Sequence, residues 1–568
     1  MDNLSILIAG KAGDGIDKSS LVIGDILASL GYRVYIYRDY PSIIRGGHTF
    51  SIIRCSADKI ASHLNTVDVL LALNQESFDL HKPGLNQEAI IIYDSNSVKS
   101  DKGIAIPVGG IIKELKAIDL MKNSCLIGAM CKAIGITKDT LEQVFRKDIS
   151  KEIDLNLQVA FRGFSESKEF IKVEKLKQKI LPLVTGNEAI SQGLIKGGMK
   201  TYIAYPMTPS SGILHYLAGA AEKFSLKVIH PENEIAVMLM ALGFSYAGER
   251  VAVGTSGGGF CLMIEGLSFS AMAELPVVVL LGQRPGPSTG LPTYTGQTEL
   301  NFALSAGHGE FTRFVTAPGD AEEACYWSAV SLNMAWKYQI PAIILCDKTL
   351  NEGMYSFDAD LIREIKYEGP LLWDRKGEYK RYRHAENGVS PLAFPSDKDA
   401  IVKVNSYEHD ESGITTEDKD VTAKMQDKRL CKAGHLLDEL ERYETVKVYG
   451  DKDSSTAILC WGSNKGVCAE AGKKLGLRVV QPIVFSPFPL KQFKEALRGV
   501  KKIICVENNA AGQLADFVKC RGINVDERIL KYDGRPFSLD ELEQKLRVSL
   551  HSDNVRMSTL GVDGDGER

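Results

Sequence analysis

Apolar residues fall into two rhythms that alternate along the chain. Short unbroken runs occur at Leu4–Ala9, Val69–Leu73, Ala89–Tyr93, Thr201–Ala204, Val251–Gly254, Val277–Leu281, Ala342–Leu345, Thr456–Cys460, Val479–Gln481 and Lys502–Val506. Their length and lack of polar alternation fit strands buried on both faces. Between them, Leu21–Leu30, Glu234–Tyr246 and Ala321–Trp336 repeat apolar positions at helical spacing, and Gly186-Asn187-Glu188-Ala189 leads a helix through Ile195. Strand and helix in alternation predict a multidomain α/β fold built on parallel sheets. The rhythm holds over 1–185, 186–360 and 446–545. Over 361–445 it fails: the segment is polar and turn-rich, which predicts a surface excursion, lid or partner-wrapping linker. The last stretch, 546–568, ends in a Gly/Asp/Ser-rich run and is expected to be disordered. No short repeat is present.

Composition narrows the field. Lys plus Arg number 68 against 72 Asp plus Glu, a net charge of -4, which argues against nucleic-acid and membrane-surface partners. No window reaches the roughly 18 uninterrupted apolar residues of a membrane span. The N-terminus lacks a basic leader and reads as a first strand, not a signal peptide. The 11 cysteines are odd in number, widely spaced and form no CxxC pair. Reduced thiols in a cytoplasmic protein are expected, with no iron–sulfur cluster in this chain.

The candidate chemistry sits after strands. Gly10-x-x-Gly13-x-Gly15 is either a phosphate cradle or a plain strand-to-helix turn, matching neither a Walker A loop nor GxGxxG. Arg45-Gly46-Gly47-His48 reads as an exposed basic loop. Tyr205-Pro206-Met207-Thr208-Pro209-Ser210-Ser211 follows the strand Thr201–Ala204; its two prolines would hold Thr208 rigidly at a site rim, or simply make a turn. In His230-Pro231-Glu232-Asn233-Glu234, acidic residues open an apolar helix, as caps or with Glu234 turned inward. Thr255-Ser256-Gly257-Gly258-Gly259 allows close approach of a ligand to backbone. Arg284, at the end of a third strand in Gly282-Gln283-Arg284-Pro285-Gly286-Pro287, suits a carboxylate clamp or a surface ion pair.

Together, YPMTPSS, PENEIAVMLMALGFSYAG, TSGGGF and GQRPGPSTGLPT, with the later Ser390-Pro391, Glu408-His409-Asp410-Glu411 and Glu507-Asn508-Asn509, resemble the α subunit of 2-oxoacid:ferredoxin oxidoreductases with the γ domain fused at its N-terminus. The resemblance runs to about residue 545. It implies a Rossmann-like γ domain (1–185), a thiamine-diphosphate-binding, pyrimidine-type domain (186–360) and a transketolase C-terminal-like domain (446–545). It implies that Glu234 is the catalytic carboxylate, hydrogen-bonding N1′ of the thiamine aminopyrimidine, with Glu232 as the alternative. Thr208, Arg284 and Tyr205 would bind substrate, and Pro206, Pro209, Ser256 and Gly257 would flank the cofactor. The implied reaction is CoA-dependent oxidative decarboxylation of a 2-oxoacid, 2-oxoglutarate first, with electrons passed to ferredoxin. One departure bears on substrate range: the family often has Glu where Gly296 stands.

Two parts of such an enzyme are missing from the sequence. Gly13-Asp14-Gly15 has no Asn pair at a suitable distance, and Gly564-Asp565-Gly566 ends the chain. No residue here is therefore assigned to metal. A β subunit carrying the Mg²⁺-diphosphate site and a [4Fe–4S] cluster is expected, in an α₂β₂ assembly. The rival readings are a nicotinamide-dependent dehydrogenase, a non-catalytic assembly subunit, and the same chemistry on pyruvate, a branched-chain or an aryl 2-oxoacid.

Overall fold

A computed structural model describes residues 3–42 and 46–559, with side chains to 551. Three sheets organise the chain. The central one has, in spatial order, Val484–Ser486, Phe314–Thr316, Pro341–Asp347, Val277–Gln283, Val251–Ser256, Thr201–Ala204 and Lys227–Ile229. All neighbours run parallel except the first pair. Every residue of Val251–Ser256 and Val277–Gln283 is buried, as a sheet covered on both faces requires. Helix Ala321–Tyr338, buried along nearly all its length, packs on helix Gly186–Lys196.

The N-terminal sheet is mixed rather than parallel. Strand His48–Ser56 runs antiparallel between Asn3–Lys11 and Arg33–Asp39, and Met354–Ser356 and Leu183–Thr185 extend the same sheet. Gly46–His48 therefore leads into a strand. His48 is no solvated loop residue: its Nε2 lies 2.8 Å from His81 Nε2. Arg45 lies outside the described residues. The third sheet orders Val446–Gly450, Arg478–Pro482, Thr456–Leu459, Lys502–Glu507 and Glu527–Leu530, parallel after the first pair.

The segment 361–445 is not without regular structure. Its end forms a 22-residue helix, Lys419–Leu440, with Lys428 and Lys432 buried on Glu274: Lys428 Nζ is 2.7 Å from Oε1 and Lys432 Nζ 2.5 Å from Oε2. Arg381, from the same segment, donates to the carbonyls of Ala273 and Glu274 at 3.1 and 2.8 Å. Two ammonium groups hold the Glu274 carboxyl far below the usual carboxylate range. The polar sequence is thus partly interior, since charges that neutralise one another can be buried together. At the C-terminus, helix Leu539–Thr559 runs into the stretch expected to be disordered; 560–568 lie outside the described residues. Among the described residues no helix is long and apolar enough to cross a membrane.

Candidate active site

Strands Thr201–Ala204 and Val251–Ser256 are hydrogen-bonded neighbours, yet their chains leave in opposite directions. The first goes on to the sheet edge at Lys227–Ile229, the second to Val277–Gln283. Such a reversal of strand order opens a crevice at the strands' carboxyl ends, the usual place for a ligand in an open α/β sheet. The loops after these two strands and after Val277–Gln283 carry the residues the sequence marks.

Glu234 begins the helix Glu234–Tyr246, whose N-cap Asn233 accepts from Ala236 N at 3.0 Å. The first helical position turns Glu234 inward, 4% exposed, whereas Glu232, in the turn before the N-cap, is exposed. The Glu234 carboxylate lies against Gly259. A β-carbon at 259 would stand 2.6 Å from Glu234 Oε1 and 2.2 Å from Thr255 Oγ1, so only glycine leaves that carboxylate in place. Ser256 ends its strand with a buried hydroxyl that has no hydrogen-bond partner, at the first turn of the 16-residue helix Gly257–Met272. An inward carboxylate, an orphaned hydroxyl and a bare backbone turn fit the polar edge of a heterocycle.

Arg284 donates from Nη1 to the Thr208 carbonyl at 2.9 Å, and its own carbonyl accepts from Thr298 Oγ1 at 3.2 Å. Arg284 also lines an open cleft of about 550 Å³, together with Ser256, Gly257, Cys261, Pro287 and Glu299. Thr208 meets this cleft through Arg284. Pro209 is buried beneath Gly282, and its carbonyl accepts from Asn187 Nδ2 at 3.0 Å. Tyr205 and Pro206 are exposed at the rim, the Tyr205 ring centroid 5.9 Å from that of His230.

Two residues not singled out in the sequence belong to this region. Gln297 is fully buried and ties the Arg284 loop to the C-terminal domain: Nε2 donates to the Trp461 carbonyl at 2.7 Å, and Oε1 accepts from Asn464 Nδ2 at 2.8 Å and Asn508 N at 3.0 Å. Asn509 Nδ2 donates to the Gln297 carbonyl at 3.0 Å, which gives Glu507-Asn508-Asn509 a physical task. The second is Glu299, buried in the cleft wall, with one carboxyl oxygen lacking a partner. Gly296 is buried against Pro285, where a β-carbon would lie 3.2 Å from the proline nitrogen. The absent side chain is what lets the loop close this tightly behind Arg284.

Comparison with known proteins gives this arrangement its class. Residues 192–427 match the family described as pyruvate flavodoxin/ferredoxin oxidoreductase, thiamine-diphosphate-binding, and residues 5–166 match pyruvate ferredoxin/flavodoxin oxidoreductase. The chain is 31% identical to the 2-oxoacid:ferredoxin oxidoreductase subunit alpha of Saccharolobus solfataricus, over 98% of this chain and 99% of that one. It is 35% identical to the 2-oxoglutarate synthase subunit KorA of Archaeoglobus fulgidus, over 37% of this chain and 62% of that one. Among solved structures, the 2-oxoglutarate:ferredoxin oxidoreductase from Magnetococcus marinus, with 2-oxoglutarate, coenzyme A and succinyl-CoA bound, superposes with a TM-score of 0.89. It shares 28% identity and covers 97% of this chain and 100% of that one. The fold and crevice are those of a thiamine-diphosphate-dependent oxidoreductase. The chain belongs to the 2-oxoacid:ferredoxin oxidoreductase family, and its relatives are the α subunits of multisubunit enzymes.

Proposed function

We propose that this chain is the catalytic α subunit of an enzyme that converts 2-oxoglutarate and CoA to succinyl-CoA and CO₂, passing two electrons to ferredoxin. The observation that carries the reading is Glu234, buried alone of its acidic pair and seated against a glycine at the switch-point crevice. The ligands of the Magnetococcus enzyme support the choice of substrate and CoA.

Thiamine diphosphate, when bound, supplies the electron sink that decarboxylation of a 2-oxoacid needs. Glu234 would hold the pyrimidine edge of the cofactor by accepting or sharing a proton at a ring nitrogen. Ser256 and the first turn of helix Gly257–Met272 would supply donors and close backbone approach, with Pro206 and Pro209 bracing the loop beside them. Arg284 would clamp the substrate carboxylate, its guanidinium aimed by the Thr208 carbonyl, with Tyr205 at the mouth. The loop from Arg284 to Thr298, fastened through Gln297, would hold that clamp in place.

The site is completed by a β subunit bearing the Mg²⁺-diphosphate site and a [4Fe–4S] cluster, in an α₂β₂ assembly. One observation supports a partner. Helices Glu234–Tyr246 and Gly257–Met272, which pack together beside the crevice, expose Ile235, Leu239, Met240 and Leu262, an apolar face of the kind a partner covers.

The test is Glu234→Gln in the assembled complex. Acid–base groups supply about 10²–10⁴-fold, so turnover should fall by that factor; turnover within a few-fold of wild type would sink the assignment.

A further inference from the structure

Glu299 has no part in the reading above, yet it stands in the same cleft. Its backbone amide donates to Gln283 Oε1 at 3.2 Å, which fixes it beside the last residue of the strand that delivers Arg284. The side chain is 8% exposed, and Oε2 has no hydrogen-bond partner. Oε1 lies against the first turn of helix Gly257–Met272, where a β-carbon at Gly257 would be 2.7 Å away.

The charged groups around it come from several elements. Arg284 shares the cleft wall, and Asp347 is buried at the end of the adjacent strand Pro341–Asp347. Glu234 sits further along the glycine run at Gly259. Arg313 is turned to the far end of the Glu299 helix, on the carbonyls of Ala303 and Ala306. Cys261 of helix Gly257–Met272 is exposed. Burial is the largest influence and pushes the Glu299 carboxyl up to about 7; hydrogen bonds from Thr298 and the Arg284 charge oppose it, and Asp347 adds to it.

A 2-oxoacid arrives as an anion. An ionised carboxylate beside Arg284 would repel it and cancel part of the arginine's attraction, whereas a neutral acid offers a donor. We propose that Glu299 is a substrate-binding residue that carries a proton into the complex and donates a hydrogen bond to the 2-oxoacid carboxylate alongside Arg284. This rests on the assignment of the Arg284 cleft to the substrate. Binding then takes up a proton whenever free Glu299 is ionised, and substrate capture weakens about tenfold per pH unit above its titration.

The experiment uses the assembled complex and N-oxalylglycine, an unreactive analogue of 2-oxoglutarate. Calorimetric titration at pH 8 in two buffers of different ionisation enthalpy should show close to one proton taken up per analogue bound by wild type, and none by Glu299→Gln. In parallel, kcat/KM for 2-oxoglutarate should fall about tenfold per unit above neutrality in wild type, a limb the Gln variant loses while keeping a donor. Absence of proton uptake by wild type overturns the proposal whether or not the variant folds, as does an unchanged limb in Glu299→Gln. Arg284→Ala, assayed alongside, separates the two levels. A raised KM in that variant with no proton effect removes only the role of Glu299; an unchanged KM removes the cleft assignment itself.

Discussion

Two buried glutamates mark opposite ends of strand Val277–Gln283, and their surroundings differ in kind. Glu274, just before the strand, is held by Lys428, Lys432 and the Arg381 that grips its backbone. Glu299, fastened to the strand's last residue, has one oxygen without a partner and no ion pair within salt-bridge distance among the described residues. The first carboxyl is driven well below its ordinary value and the second is raised to about 7. At the amino end of the sheet, charge is compensated and serves only cohesion. At the carboxyl end, where the crevice opens, the acid has no such partners, and a buried acid with a displaced titration in a cleft is the mark of a candidate functional site.

The comparison is broken most severely at the compensated end. Glu274→Gln strands two ammonium groups in the interior, and removing one partner of a buried ionic cluster costs about 3–5 kcal/mol. Denaturant unfolding should show that loss, while kcat of the protein that remains folded stays near wild type. A loss below about 1 kcal/mol would mean the lysines are relieved by solvent. The same carboxyl predicts an acid limb. Because its folded value is depressed, its contribution is present above the ordinary glutamate range and disappears as pH falls below it.

Glu299 should behave with the opposite sign. Its folded value is raised, so its contribution is full below about pH 4.5 and is lost as pH climbs to about 7. A displacement of that size corresponds to roughly 3 kcal/mol. Glu299→Gln, which carries no charge to bury, should therefore be more stable than wild type above neutrality and should flatten the stability profile between those limits. Thermal unfolding across pH 4.5 to 8 checks this, and a profile identical to wild type would remove the contrast between the two glutamates.

Much of the site was legible because it is punctuated. The prolines around Thr208, the glycines after Thr255 and the Pro/Gly run after Arg284 interrupt apolar strands at the points where the structure opens its crevice. Glu234 was preferred over Glu232 through the family resemblance, because on the residues alone both acids could serve as caps of the helix they precede. Gln297 and Glu299 were not legible, because 292–299 has no periodicity: Gln297 is buried against Trp461, Asn464, Asn508 and Asn509, far off in sequence, and Glu299 against Gln283 and the first turn of helix Gly257–Met272. The strand His48–Ser56 was missed because its buried positions include Thr49, Ser51 and Arg54, so it carries no apolar run. Helix Lys419–Leu440 was missed for a related reason: lysines occupy two of its buried positions, and only the distant Glu274 makes that tolerable.

The smallest predicted effect concerns how the loop behind Arg284 is seated. At Gly296 a β-carbon would stand 3.2 Å from Pro285 N and 3.3 Å from its Cγ, so Gly296→Ala obliges Pro285 to yield by a few tenths of an ångström. Overpacking of this kind costs about 1 kcal/mol at the mild end. Pro285 follows Arg284 directly, and Gln297 on the other side of the glycine is pinned to Trp461, Asn464 and Asn508. The displacement is therefore directed toward the arginine and away from the anchored C-terminal domain. The expected result is a KM for 2-oxoglutarate raised several-fold with kcat nearly unchanged, the pattern of binding lost equally from ground and transition states. A stability loss with no change in KM would show that the loop relaxes elsewhere and that Arg284 is positioned by the Thr208 carbonyl alone.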